Sequence, residues 1–203
     1  MRESLRVVGI DLAGSERRKT GFCILDEKLI ARTKVLYKDG EILEEVRKVK
    51  PEVVAIDAPL ALPKTRPSLA KKYSKLGHLR ECDKELLKMG IKLFPITLGP
   101  MRKLTRRGIR LRKKLEEEGF KVIETYPGAA QDILKIPRKQ EGVEKLRKGL
   151  IKLGIKGDVR KKGISDDELD AITCALVAKM YTDGDYLAIG DKSEILMILP
   201  KLR

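Results

Sequence analysis

At 203 residues the chain is long enough for one domain with room for a sizeable insertion, and no apolar run approaches the roughly 20 residues that span a bilayer. With 37% charged and 42% hydrophobic residues it reads as globular rather than disordered, and a net charge of +15 favours a polyanionic partner over a merely solvated lysine-rich surface. Three widely spaced cysteines, Cys23, Cys82 and Cys174, contain no CxxC pair, so neither a zinc cluster nor a disulfide framework is indicated and buried thiols are expected.

The opening MRESLRVVGIDLAG lacks the apolar core and small-residue cleavage site of a signal peptide, so a cytoplasmic location is expected. Asn and Trp are absent while Lys, Arg and Glu abound, a composition that suits a thermophile.

In chain order, residues 5–12 form a buried-strand run broken by one carboxylate, Asp11, and ending at Gly14 and Ser15. Residues 21–25 and 29–37, separated by Asp26, Glu27 and Lys28, predict an antiparallel hairpin. Ile42, Leu43, Val46 and Val49 have helical spacing closed by Pro51, and residues 53–56 form a fourth strand running into Asp57. Residues 60–118 are too long for a simple connection and carry two helical patterns, at 79–89 and 101–118, which predicts a helical insertion. Residues 120–125 give a fifth strand with Glu124 near its end, and Pro127 starts a helix. A basic stretch, 135–162, leads into a last helix, and DYLAIGD and SEILMILP are short apolar segments able to form terminal strands.

This order predicts a single α/β domain over 1–203, with a mixed five-stranded sheet flanked by helices and the insertion between the fourth and fifth strands. The apolar tail at 195–200 leaves a homodimer open.

Asp11 and Asp57 each interrupt or end an apolar strand run, VVGIDLAG and VVAIDAPL, where an unpaired charge would be costly. One such Asp is as compatible with turn capping as with a site; two in one small domain point to a carboxylate cluster at one edge of the sheet. The stretch ISDDELDAITCALVAK packs four carboxylates into positions 166–170. Ser165 with Glu168 makes a capping box and Asp166 and Asp167 fall in the first turn, where the helix dipole favours negative charge. That leaves Asp170. At ~100° per residue it points about 160–180° away from the solvent stripe marked by Glu168 and Lys179, so it is expected to face the sheet with Asp167 as companion and Asp166 released to solvent. Carboxylates converging on two strand-end carboxylates require cations, and oxygen-only donors favour Mg²⁺ or Mn²⁺ over zinc.

GIDLAGS followed by a hairpin, AIDAPL on a later strand and DDELDA on a late helix resemble the acidic constellation of the ribonuclease H-like fold, Holliday-junction resolvases included. The whole chain resembles more closely the family called domain of unknown function 429, described as predicted nucleases of that fold. RECDKELLKMGIKLFP (80–95) and ETYPGAA (124–130) look like further motifs of that family, so the resemblance covers nearly the full length.

The resemblance implies Asp11, Asp57, Asp167 and Asp170 as catalytic ligands of two Mg or Mn ions, Asp57 standing where ribonuclease H has a Glu, with Glu124 as a fifth ligand or a substrate contact. The implied activity is hydrolysis of phosphodiester bonds in DNA or RNA. A non-catalytic nucleic-acid-binding protein of the same fold is the first alternative and a nucleotide-binding phosphotransferase the second.

The tract RKLTRRGIRLRKK, 102–114, has eight Lys or Arg and no acid, and Leu104, Ile109 and Leu111 can anchor it as a helix. Arg102, Lys103, Arg106, Arg107, Arg110 and Lys113 are then expected to face outward and track a phosphate backbone without reading sequence. With aromatics at 4%, stacking platforms are few, which favours duplex or branched nucleic acid. Arg80 and Asp83, three apart, read as a structural ion pair. His78 reads as a surface loop residue, with a proton shuttle as its functional alternative.

Overall fold

Val7, Val8, Gly9 and Ile10, four successive residues of strand β1 (Arg6–Asp11), are all buried, as in a central strand covered on both faces. In the computed structural model, which describes residues 5–73 and 75–202, β1 is followed by β2 (Thr20–Asp26), β3 (Ile30–Leu36), α1 (Asp39–Val49) and β4 (Val53–Asp57). Then come α2 (Glu81–Lys88), α3 (Gly99–Glu117), β5 (Val122–Thr125), α4 (Pro127–Ile133), α5 (Val143–Lys152) and the two-residue β6 (Lys156–Gly157). The chain ends with α6 (Asp166–Asp183), β7 (Tyr186–Ile189) and β8 (Met197–Pro200).

The strands form one sheet in the order β6-β3-β2-β1-β4-β5-β8-β7. The expected hairpin is present, with β2 antiparallel to both β1 and β3, and β4 and β5 return parallel to β1. The sheet has eight strands among the described residues where five were expected: β7 and β8 come from the two terminal apolar segments, and β6 is a short edge bridge to β3. The apolar tail is spent inside the sheet, since Met197, Ile198 and Leu199 of β8 are buried between β5 and β7. α2 and α3 both lie in the connection from β4 to β5, as the helical patterns there predict. α5, within the basic stretch, was not foreseen. No helix among the described residues is long and apolar enough to cross a membrane.

Strand alternation divides the core. Val8, Ile10, Val54 and Ile56 pack against α1 and α3, while Val7, Val53, Ala55 and Cys23 pack against α6, α5 and α4. Gly9 and Asp11 follow Val7 on the α6 side, Gly21 precedes Cys23 there, and Asp57 follows Ala55. The glycines permit an unusually close approach. A Cβ on Gly9 would lie 2.2 Å from the Ala171 carbonyl oxygen, and one on Gly21 would lie 2.0 Å from the Asp167 carbonyl oxygen. α6 therefore runs directly against β1 and β2, and its first turn comes down beside the tip of β1.

The capping box at the start of α6 forms as expected: Ser165 Oγ accepts from the Glu168 amide at 3.2 Å, and Glu168 Oε2 accepts from the Ser165 amide at 3.0 Å. The expected solvent stripe does not. Glu168 is buried and its carboxylate accepts from Thr33 Oγ1 at 2.7 Å and from Lys161. The reason is that the first turn of α6 packs against β3 and the segment before the helix, whose Thr33 and Lys161 enclose Glu168, while α4 and α5 also contact α6, and every residue from Glu168 to Ala178 is buried.

Candidate active site

Asp11 and Asp57 end two adjacent parallel strands and are register partners, so their side chains leave the same face at the same edge. Above them α6 presents Asp170, which is 4% exposed and points to the sheet as the helical phase predicts. Gln131 of α4 donates from Nε2 to Asp170 Oδ1 at 2.7 Å and fixes that carboxylate from behind. Asp167 is half-buried beside the cluster, and so is Asp166, whose side chain is 47% exposed.

Among the described residues, Lys139 is the cation that pairs directly with these acids. Lys139, in the 3-10 turn after α4, places Nζ 2.8 Å from Asp170, 3.7 Å from Asp166 and 3.9 Å from Asp11. A single ammonium does not balance the cluster. Burial, then the neighbouring Asp170, pushes the Asp11 carboxyl up to about 7 against the opposing pull of Lys139. Burial together with Asp11 and Asp170 holds Asp57 well above the usual carboxylate range, and burial with Asp166 raises Asp167. Burial opposes the charge of Lys139, but Asp170 more than offsets it, so the lysine stays protonated.

Among the described residues no group of three or more His, Cys, Asp or Glu side chains is spaced to hold a metal ion as it stands, Lys139 being the group the acids now share. The donor chemistry does fit a hard divalent cation: all-oxygen ligands, mutually repelling, short of positive charge and open to a cleft.

That cleft, of about 980 Å³, has Asp11, Asp167 and Lys139 among its lining, and Arg17, Arg18 and Lys19 of the β1–β2 loop and Lys103 of α3 on its walls. Acids at the bottom and cations around them suit a polyanion whose backbone crosses the strand ends.

Of the remaining candidates, Glu124 is not part of the acid cluster's shared contacts. It is buried, accepting from the Leu60 amide at 2.8 Å and from Arg80 Nη1 at 2.7 Å. Arg80 also pairs with Asp83 at 2.9 Å, the structural ion pair expected, but buried and extended to Glu124. His78 is an exposed loop residue with Nδ1 2.9 Å from Thr97 Oγ1.

On α3, Lys103, Arg106, Arg110 and Lys113 are exposed on one side, Arg110 being paired with Asp39 at 2.8 Å, while Arg102 is partly buried and donates to the Leu69 carbonyl. Arg107 departs from the outward row. It is 3% exposed, pairs with Asp39 at 2.8 Å and donates to the carbonyls of Ala13 and Tyr37, both at 2.7 Å. It falls on the same helical side as Gly108 and Leu111, which pack inward, so its role is to brace the β1–β2 loop and the start of α1 against α3.

Lys139 and Gln131 were not singled out in the sequence, and nothing in their local pattern distinguishes them. Arg17, Arg18 and Lys19 do carry a signal, three successive cations a few residues after a strand-end Asp.

The model of the family described as "Protein of unknown function (DUF429)" matches residues 9–195. No curated protein shows a significant match. Among solved structures, T. thermophilus RuvC in complex with Holliday junction substrate is similar with a TM-score of 0.52 at 16% identity, covering 89% of this chain and 97% of that one. Thermus thermophilus RuvC alone gives 0.47 at 17% identity over 89% and 97%, and the trimeric exonuclease PhoExo I from Pyrococcus horikoshii OT3 gives 0.26 at 17% over 58% and 56%. The likeness to the first bears out the mixed α/β, ribonuclease H-like fold expected from the acidic motifs.

Proposed function

The chain belongs to that family of proteins of unknown function, and from this premise we propose that it is a divalent-metal-dependent nuclease that hydrolyses phosphodiester bonds of DNA or RNA. The observation that carries the reading is the convergence of Asp11, Asp57 and Asp170, in excess over the one ammonium of Lys139, beside a cleft walled by Arg17, Arg18, Lys19 and Lys103. The solved RuvC bound to a Holliday junction supports nucleic acid as the partner.

Asp11, Asp57, Asp170 and Asp167 would hold two Mg²⁺ or Mn²⁺ ions. When bound, these supply Lewis acidity that activates water and offsets charge on the leaving oxygen of an in-line displacement. The chain's own groups do the rest. Gln131 holds Asp170 in one orientation, and Lys139 screens the acids and offers an ammonium to a phosphate oxygen. Arg17, Arg18, Lys19 and Lys103 neutralise flanking phosphates, and Arg106, Arg110 and Lys113 extend that track along α3, which with α2 forms an insertion between the fourth and fifth strands. Glu124, already engaged by Arg80, serves better as a support for the site than as a ligand.

A panel of single-stranded, duplex and branched DNA and RNA in Mg²⁺ and Mn²⁺ tests this. Wild type cleaves at least one member, and Asp11→Asn loses cleavage while still unfolding cooperatively and at no lower a temperature than wild type; undiminished cleavage by Asp11→Asn overturns the mechanism. The seating of Lys139 among the acids favours a second reading, a nucleic-acid-binding protein without catalysis. Salt-sensitive binding with no cleavage in either metal selects it.

A further inference from the structure

The ammonium of Lys139 fills the space between three carboxylates from two elements. Its Nζ lies 2.8 Å from Asp170 Oδ2 and 3.7 Å from Asp166 Oδ2 on α6, and 3.9 Å from Asp11 Oδ2 at the end of β1. Gln131 Nε2 donates to the other oxygen of Asp170, so that carboxylate is held by a neutral amide on one side and a full charge on the other. A divalent cation taken up by Asp11 and Asp170 is drawn to the same oxygens as the ammonium. Two like charges a few ångströms apart in a partly buried site repel strongly, so the two cations compete.

The two partners of Asp170 differ in their freedom to leave it. Gln131 is 1% exposed and donates also to Thr173 Oγ1 at 3.1 Å, which fixes it between α4 and α6. Lys139 has a side chain 30% exposed, lines the large cleft and projects on a flexible stem from a three-residue 3-10 turn. The turn itself is anchored by the preceding residue: Arg138 pairs with Asp132 of α4, and its guanidinium lies 5.7 Å from the centre of the Tyr126 ring. The lysine side chain can therefore leave the acids while its backbone stays in place. The space open to it is the cleft, whose walls carry Arg17, Arg18, Lys19 and Lys103.

Charge sets the direction of the exchange. The acid cluster is short of positive charge with one ammonium paired to it, and a doubly charged ion with a preference for oxygen donors gains more from the same carboxylates.

We propose that Lys139 is the resident counter-ion of the acid cluster and competes with the divalent cations for it, holding Asp170 and Asp11 until metal takes them and then joining the cations that line the cleft. The proposal rests on the metal-dependent reading of the cluster. It adds to that reading the residue that sets how much metal the site requires and that links metal binding to one more positive charge facing the phosphate backbone.

Calorimetric titration of the full chain with Mn²⁺ and with Ca²⁺, without nucleic acid, reads the competition independently of cleavage. Lys139→Met and Lys139→Gln are expected to bind Mn²⁺ at least about 10-fold more tightly than wild type, on the scale of a unit charge removed a few ångströms from the ion. Lys139→Arg keeps the charge and is expected to bind no more tightly than wild type. Lys139→Gln retains a hydrogen-bond donor for Asp170, so it keeps the test open if the methionine disturbs the cluster. The gain persists in about 1 M KCl, where the screening length has fallen to about 3 Å, because the competing charge acts at contact and not at long range. Neutral variants that bind Mn²⁺ no more tightly than wild type overturn the proposal and leave the metal reading standing, as does a gain that high salt abolishes. Binding by the neutral variants where wild type shows none supports the proposal in its strongest form, a lysine that holds the site shut. If none of the proteins binds either metal, the proposal and the metal-dependent reading fall together.

Discussion

Lys139 sits where a site built from acids most needs a positive charge, 2.8 Å from Asp170 and 3.9 Å from Asp11, and still leaves the Asp11 carboxyl near neutrality. That imbalance has a measurable sign. Burial and Asp170 raise Asp11 to about 7 from an ordinary value of 3.8, so the folded protein binds a proton that the unfolded chain has released. Stability is then lost as pH rises from about 4 to about 7, the reverse of a salt-bridged carboxylate. In metal-free buffer Asp11→Asn is expected to match wild type near pH 4 and to exceed it by roughly 1–4 kcal/mol above pH 7, at about 1.4 kcal/mol per pKa unit. Denaturant unfolding of both proteins across that range checks this; parallel curves would mean Asp11 is not strained by its neighbours. The burial of Asp170 was expected from its helical phase, but the reference for that phase failed, since Glu168, taken as the solvent side, is as buried as Asp170. Lys139 was not foreseen, because it reaches the acids by way of a 3-10 turn whose path no local pattern announces.

At the scale of elements, the site depends on how closely α6 lies on β1 and β2. Gly9 and Gly21 set that distance, since a methyl group at either would overlap α6 backbone atoms. Gly9→Ala is expected to lower stability by about 1–3 kcal/mol or more, because backbone and not a flexible side chain must yield. By moving Asp170 away from Asp11 it should also cut cleavage more than stability alone explains; a fully active, equally stable variant would show that the helix has slack. Strands β1 to β5 and the cap of α6 could be read from residue pattern, since apolar runs and a Ser-x-x-Glu signal are local. The burial of Glu168, the presence of α5 and the placement of β6 to β8 were not, because each is decided by distant partners: Thr33 and Lys161 around Glu168, α6 beside α5, and β5 beside β8. Arg107 fails for the same reason, as the eight cations of its tract look alike until Asp39 claims two of them, Arg107 buried and Arg110 at the surface.

Over the whole molecule, the +15 charge is not spread evenly in its effect. Cations from the β1–β2 loop and α3 meet around one cleft, and the acids that would otherwise repel a phosphate backbone are confined beside Asp11 and Asp167 within it. Under the proposed function, such an arrangement would draw a polyanion to the strand ends by long-range attraction. The charge and the strand-end acids were visible from composition and motif; their meeting at a single cleft required the fold. Single-turnover cleavage of the best substrate as a function of Mn²⁺ concentration, for wild type and for Asp57→Asn, tests the central claim most directly. The account predicts a rate that rises and saturates with Mn²⁺ in wild type and falls by at least about 100-fold in the variant, on the scale of losing charge stabilisation at a reacting phosphate; equal rates in the two proteins would contradict it.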